Sequence, residues 1–206
     1  MKKFLIGSAT AALLMLASSA QASLIMNVYA GAGAGGIAGV QNAINTTTPT
    51  YSSTASVIDF WNGSGPSGAF AVNSPFPGAL VTNFGVNFTG LVNILTAGIY
   101  DFRSNADDGV QLKIDGVAVI VDDTYHAAQD KFGSVNLAAG IHAIDFIYFQ
   151  RYGFGTVELA VKTSNEAYSL LGAPGSLQTV PEPASLALFG AALAGLAAVR
   201  RRKSKV

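Results

Sequence analysis

No cysteine occurs among the 206 residues, so no disulfide staples the fold and no thiol serves as nucleophile or metal ligand. Without disulfides the fold must rely on its core or on a metal. Charge is scarce as well: Asp, Glu, Lys and Arg together make up 12% of the chain. There is no G-x-S-x-G elbow. His126 and His142 are the only imidazoles, and each is expected as a strand or loop surface residue rather than as a base. A basic body is also missing. Once Lys2, Lys3, Arg200, Arg201, Arg202, Lys203 and Lys205 are assigned to the ends, the cations that remain are Arg103, Lys113, Lys131, Arg151 and Lys162. All twelve Asp and Glu lie between Asp59 and Glu182, so the formal net charge of zero averages an acidic body with two basic ends. An acidic body excludes nucleic acid, whose phosphates need a basic face, and suits a cation.

What is abundant is hydrophobicity, at 50%, and much of it lies at the two ends. Residues 1–22 carry Lys2 and Lys3, an apolar run from Phe4 to Leu16, and Ala20-Gln21-Ala22. Positive start, apolar middle and small-x-small site predict a secretory signal peptide and export through the Sec translocon. Residues 180–206 hold Val180-Pro181-Glu182-Pro183, an apolar run over 184–199, and a basic tail over 200–206. That run predicts a short membrane segment whose basic flank stays cytoplasmic, anchoring the body outside the inner membrane at least transiently. Pro181-Glu182-Pro183, the apolar run and Arg200, Arg201 and Arg202, in that order, resemble the PEP-CTERM sorting signal of Gram-negative bacteria. The resemblance implies processing by an exosortase and delivery to the cell surface or an extracellular matrix.

Between the ends, period-two alternation dominates. Tyr100 and Phe102 alternate with Asp101 and Arg103; Val110, Leu112 and Ile114 with Gln111, Lys113 and Asp115; Ile144, Phe146 and Tyr148 with Asp145, Ile147 and Phe149; Val157, Leu159 and Val161 with Glu158, Ala160 and Lys162. Asp115-Gly116 predicts a tight hairpin. Turn signals every ten or so residues predict an all-β fold, an antiparallel sandwich or barrel. Gly31 to Gly36 is expected as a flexible loop, Gln41 to Ile44 as at most a helical turn, Asn45 to Ser56 as loop, and 164–179 as a stalk-like linker. The turn Asn105 to Gly109 is unusual, because Asp107 and Asp108 repel each other and a hairpin tip does not need them. Either a positive partner sits there, or the two side chains cap turn amides.

Phe-Thr-Gly at 88–90, Ala-Gly-Ile-Tyr-Asp-Phe at 97–102, Asp-Asp-Gly-Val-Gln-Leu-Lys-Ile-Asp-Gly at 107–116, Ala-Gly-Ile-His at 139–142 and Phe-Ile-Tyr-Phe at 146–149 together resemble the PA14 domain. That module is named after the anthrax toxin protective antigen. The match is best over 84–161, with Tyr29 and Val57 to Trp61 as earlier strands, and implies a β-sandwich domain spanning 23–163. In the lectin branch of this family, the flocculins and epithelial adhesins, two aspartates joined by a cis peptide hold Ca²⁺ with help from a second loop. The resemblance maps that pair onto Asp107 and Asp108, and the loop onto Gln150 to Gly155. Gln150 stands where those lectins place an asparagine ligand, Tyr152 and Phe154 where backbone carbonyls coordinate, and Phe154 also where they carry a tryptophan. Gln is one methylene longer than Asn, and Arg151 beside the site is a cation available to a sugar hydroxyl or an acidic polysaccharide.

The expectation is therefore a non-catalytic surface or matrix module binding extracellular glycan or exopolysaccharide, with Ca²⁺ as cofactor. The alternative is a structural adhesion or biofilm protein with no small ligand. A glycan-active enzyme is the third reading. It would need two carboxylates across a cleft, which adjacent Asp107 and Asp108 do not provide, leaving Asp122, Asp123 and Asp130 as candidates.

Overall fold

The computed structural model describes residues 23–63, 68–70, 72–163 and 165–180. The expected signal peptide, Pro181 to Pro183, the 184–199 run and Arg200 to Arg202 lie outside these residues. Among the described residues no helix is long and apolar enough to cross a membrane.

The strands are β1 (Leu24–Ala30), β2 (Tyr51–Ala55), β3 (Asp59–Trp61), β4 (Phe84–Ile94), β5 (Gly98–Asp107), β6 (Gly109–Ile114), β7 (Val117–Asp122), β8 (Gln129–Leu137), β9 (Gly140–Gln150), β10 (Thr156–Thr163), β11 (Ser169–Leu170) and β12 (Thr179–Val180). Helix α1 (Gly36–Thr46) lies between β1 and β2. A seven-stranded sheet runs β2-β1-β4-β9-β6-β7 with β12 beside β4, and a five-stranded sheet runs β11-β10-β5-β8 with β3 beside β10. All of these strand pairings are antiparallel. The alternating apolar residues of both sheets meet in one core that includes Phe88, Phe102, Leu112, Phe146, Tyr148 and Leu159. Of the two architectures that the alternation predicts, sandwich or barrel, this is the sandwich. Asp115 and Gly116 both adopt positive φ in the β6–β7 turn, as the Asp-Gly signal requires.

Strand β9 is buried without interruption from Phe146 to Gln150, so both of its faces are covered. One face meets the core. The other, with Ile147 and Phe149, packs with Tyr29, Ala32, Ile37 and Val40 in a second apolar cluster beneath α1. The glycine-rich stretch is thus not a flexible loop. Gly33 is wedged against the backbone of Gln150 and Phe84, where any Cβ would collide. A full helix follows, its first turn capped from elsewhere in the chain: the Ile37 amide donates to Asp123 Oδ1 at 2.8 Å. Residues 51–55, expected as loop, form edge strand β2 on β1.

The segment expected as a stalk also folds onto the sandwich. Leu170 and Leu171 are buried, β11 pairs with β10, and β12 pairs with β4. Two-residue strands carry no period, so apolar burial rather than pattern places them. The folded body reaches Val180, next to Pro181.

A further correction concerns the aspartate turn. β5 and β6 are not a hairpin, since they belong to different sheets. Asp107 and Asp108 form the corner where the chain crosses from one sheet to the other.

Candidate metal and ligand site

Three connections cross between the sheets at one pole of the sandwich: β5 to β6 at Asp108, β7 to β8 through 123–128, and β9 to β10 through 151–155. The register brings them together. Asp107 faces Thr156, Gly109 faces Phe149, Val110 faces Asp122 and Phe84 faces Gln150.

Asp108 binds the three crossings to one another. It is buried, and its Oδ1 accepts the His126 amide at 3.0 Å while its Oδ2 accepts the Arg151 amide at 2.7 Å. Its own amide donates to Phe149 O at 3.3 Å. The reading of turn-amide capping therefore holds for Asp108 only in kind, because the amides belong to two other loops and not to its own turn. It does not describe Asp107. The peptide between the two is cis. The backbone carbonyl of Asp107 accepts the hydroxyl of fully buried Tyr148 at 2.6 Å. Its carboxylate meets the Gln150 side-chain amide and, among the described residues, no lysine or arginine. Burial first, then the charge of Asp108, pushes the Asp107 carboxyl up to about 6, against the opposing pull of His126 and Gln150. Burial first, then the two aspartates, raises the Tyr148 hydroxyl far above its ordinary range, so it stays a neutral donor.

Gln150 is completely buried. Its Nε2 donates to Tyr152 O at 2.7 Å, and its Oε1 lies 3.3 Å from the Tyr148 hydroxyl. The amide NH₂ thus sits among oxygen acceptors, a carboxylate and a carbonyl, in the role a cation would otherwise fill. Turning the amide over presents Oε1 to the same oxygens. Which way an amide points is set by its bonding partners. This donor set of two carboxylates, an amide and loop carbonyls is all oxygen, the chemistry Ca²⁺ takes. It fits that ion. Among the described residues no three His, Asp or Glu side chains cluster as a metal site.

Of the other predicted site residues, Phe154 is 61% exposed and packs on Trp61 at 5.9 Å between ring centroids. Tyr152 is 69% and Tyr125 48% exposed, and the Arg151 guanidinium lies over both rings, at 4.9 and 4.4 Å. Tyr125 is held by its hydroxyl on Ala34 O at 2.9 Å and by an edge contact on buried Phe149. The result is an aromatic rim with a fixed cation beside the acid pair. The sequence reading missed Trp61 and Tyr125 as members of this rim. The only local signals were an aromatic ending a strand and a lone aromatic in a polar loop.

His126 is not the surface residue expected. Its ring contacts Asp122 Oδ2 at 2.7 Å and Ala127 O at 2.8 Å, with 14% side-chain exposure. His142 is likewise held, on Asp115 at 2.6 Å and on Ala138 O at 2.9 Å. The carboxylates left open for an enzyme are all engaged. Asp122 binds His126, Lys131 and Thr124; Asp123 caps α1; Asp130 binds Arg103 and Asn105.

The PA14 domain family profile matches residues 48–173. The chain belongs to the PA14 domain family. Residues 179–203 match the PEP-CTERM protein-sorting motif. A PA14 sugar-binding domain from an RTX adhesin superposes with a TM-score of 0.61 at 20% identity, covering 77% of this chain and 99% of that one. The PA14 domain of the MpAFP antifreeze protein gives 0.60 at 19% identity, with 76% and 89% covered. The epithelial adhesin 9 A domain of Candida glabrata, solved with Galβ1-4GlcNAc, gives 0.55 at 16% identity, with 72% and 85% covered. No curated protein sequence matches the chain. At these identities the likeness establishes the shared sandwich fold. The match from residue 48 also leaves β1 and α1, which cover and complete this PA14 sandwich, ahead of the profile.

Proposed function

We propose that this chain is an exported, surface- or matrix-associated, non-catalytic PA14 module that binds carbohydrate or exopolysaccharide in a Ca²⁺-dependent way. Asp107, Asp108, the Gln150 side chain and the carbonyls of Tyr152 and Phe154 would hold the ion. When bound, Ca²⁺ supplies open coordination positions for sugar hydroxyls. The chain's own residues do the rest. Asp108 fixes the three loops, Tyr148 fixes the Asp107 carbonyl, and Phe154 on Trp61 with Tyr125 and Tyr152 offers flat apolar faces to a sugar ring. The observation that carries this reading is the Asp107–Asp108 corner, where among the described residues no lysine or arginine pairs with either acid and the buried Gln150 amide donates to the Tyr152 carbonyl of the facing loop. The sugar-binding RTX adhesin domain and the glycan-bound epithelial adhesin share the fold and support the ligand class.

Calcium titration of the full chain by calorimetry, followed by thermal unfolding and a glycan array, tests it. The expected outcome is a saturable calcium isotherm, a raised Tm and glycan retention lost in chelator. Retention of glycan in chelator, or no heat on titration, contradicts it. The PEP-CTERM match supports cleavage at Pro181-Glu182-Pro183 by an exosortase and at least transient anchorage in the inner membrane. Intact mass of the C-terminus should shorten only where the exosortase is present, and an unchanged mass refutes processing.

A further inference from the structure

The body contains two arginines, Arg103 and Arg151, and each guanidinium is caught between two aromatic rings. Arg103 lies over Phe70 at 5.3 Å and Tyr168 at 5.6 Å. Arg151 lies over Tyr125 at 4.4 Å and Tyr152 at 4.9 Å. The clamps match, but their edges differ. The fork of Arg103 is filled by the chain itself, with Glu158 Oε2 at 3.2 Å and Asp130 Oδ2 at 3.7 Å. Among the described residues no carboxylate pairs with Arg151. Asp108 reaches only the Arg151 backbone amide.

A guanidinium is planar and carries its N–H donors in that plane, and Arg151 Nε is buried without a hydrogen-bond partner beside the two rings. That fork fits a planar carboxylate in two parallel hydrogen bonds. Arg151 is also held in place before any ligand arrives. Its amide donates to Asp108 and its carbonyl accepts the Asn83 amide at 2.9 Å, while Tyr125 is fixed by Ala34 and Phe149. Little side-chain freedom is left to lose on binding. Among the described residues, Arg151 is the cation of this pole that no acid pairs, whereas Lys131 is paired with Asp122.

We propose that Arg151 makes this site selective for glycans bearing a carboxylate, uronic acid residues above all, with the external carboxylate taking the place that Glu158 and Asp130 take at Arg103. The inference rests on the glycan-binding reading and names the ligand class within it. It predicts that ligand affinity falls with added salt, since a charge pair at an exposed rim is screened.

The test compares trigalacturonate with its neutral counterpart galactotriose. Both are titrated into the full chain in detergent at one buffered free calcium concentration. The wild type is expected to bind trigalacturonate about tenfold tighter or more, from two charge-assisted bonds. Arg151→Met is expected to cost trigalacturonate about tenfold more affinity than galactotriose, which erases the preference while calcium binding is retained, and Arg151→Lys to restore part of it. The calcium isotherm also reports that each variant is folded. Equal affinities in the wild type, or equal losses for both sugars in Arg151→Met, overturn the carboxylate selectivity and leave glycan binding standing. Binding of neither sugar at any calcium concentration overturns both.

Discussion

Two regions of this molecule place an arginine beside two acids, and they resolve the charges differently. Around Arg103 the arrangement is closed. Glu158 is 1% exposed, binds the guanidinium, and also accepts the Phe70 amide at 3.0 Å. Its register neighbour Asp59 is completely buried and accepts the Val72 amide at 3.0 Å. Burial raises both carboxyls, and the loop amides and Arg103 offset part of that cost. Around Arg151 the arrangement is open. Among the described residues no acid pairs with the arginine side chain, Asp108 holds loop amides, and Asp107 meets the Gln150 side chain. Closed charge networks of this kind fix a fold; open ones at a pole are where a ligand completes the pairing.

Breaking the closed network should give the largest effect. Arg103→Met leaves Glu158 buried without its partner, and is expected to cost about 3 kcal/mol in urea unfolding. Arg151→Met, in the same kind of ring clamp, should change stability by less than about 0.5 kcal/mol. Equal losses at the two arginines would erase the distinction.

Within the open region the two aspartates should also separate. Asp108→Ala releases two loop amides from a buried carboxylate and is expected to cost about 2 kcal/mol without any metal present. Asp107→Asn should not destabilise the metal-free chain. Its carboxyl stands at about 6 in the folded state, above its ordinary 3.8, so the folded chain binds more protons between those values. Metal-free stability therefore falls as pH rises from about 4 to about 6, and Asp107→Asn removes that fall. Protons and calcium compete for the same carboxylate, so calcium affinity should weaken as pH drops below about 6. Parallel pH profiles for wild type and Asp107→Asn would show that the two aspartates do not divide their roles in this way.

Much of this was legible before the structure. The strands from Gly98 to Val121 and from Ile144 to Val161 announce themselves by period two, and the sandwich follows from their number. The acid pair, Gln150 and Arg151 were visible because unusual residues stand together in sequence. Helix α1 was not legible. Gly36, Gly39, Asn42, Asn45 and Thr46 are poor helix formers, and its cap comes from Asp123 in a different loop. Phe149 and Ile147, apolar on the face opposite Phe146 and Tyr148, were the only hint that something covers that sheet. The rim was hidden for the same reason. Trp61, Tyr125 and Phe154 come from three separate segments, and only the pairing of β3 with β10 and the three sheet crossings bring them together. Asp108 as a tether could not be read either, because its two amides belong to loops distant in sequence.

The central claim is that an oxygen-lined pocket at this pole takes a divalent ion. A crystal structure of the chain grown in millimolar calcium tests it most directly. The account predicts one spherical density peak touching Asp107, Asp108, the Tyr152 and Phe154 carbonyls and Gln150 Oε1, with the Gln150 amide turned over from its bond to Tyr152. The pole without such a peak, and Gln150 Nε2 still donating to the Tyr152 carbonyl, would contradict it.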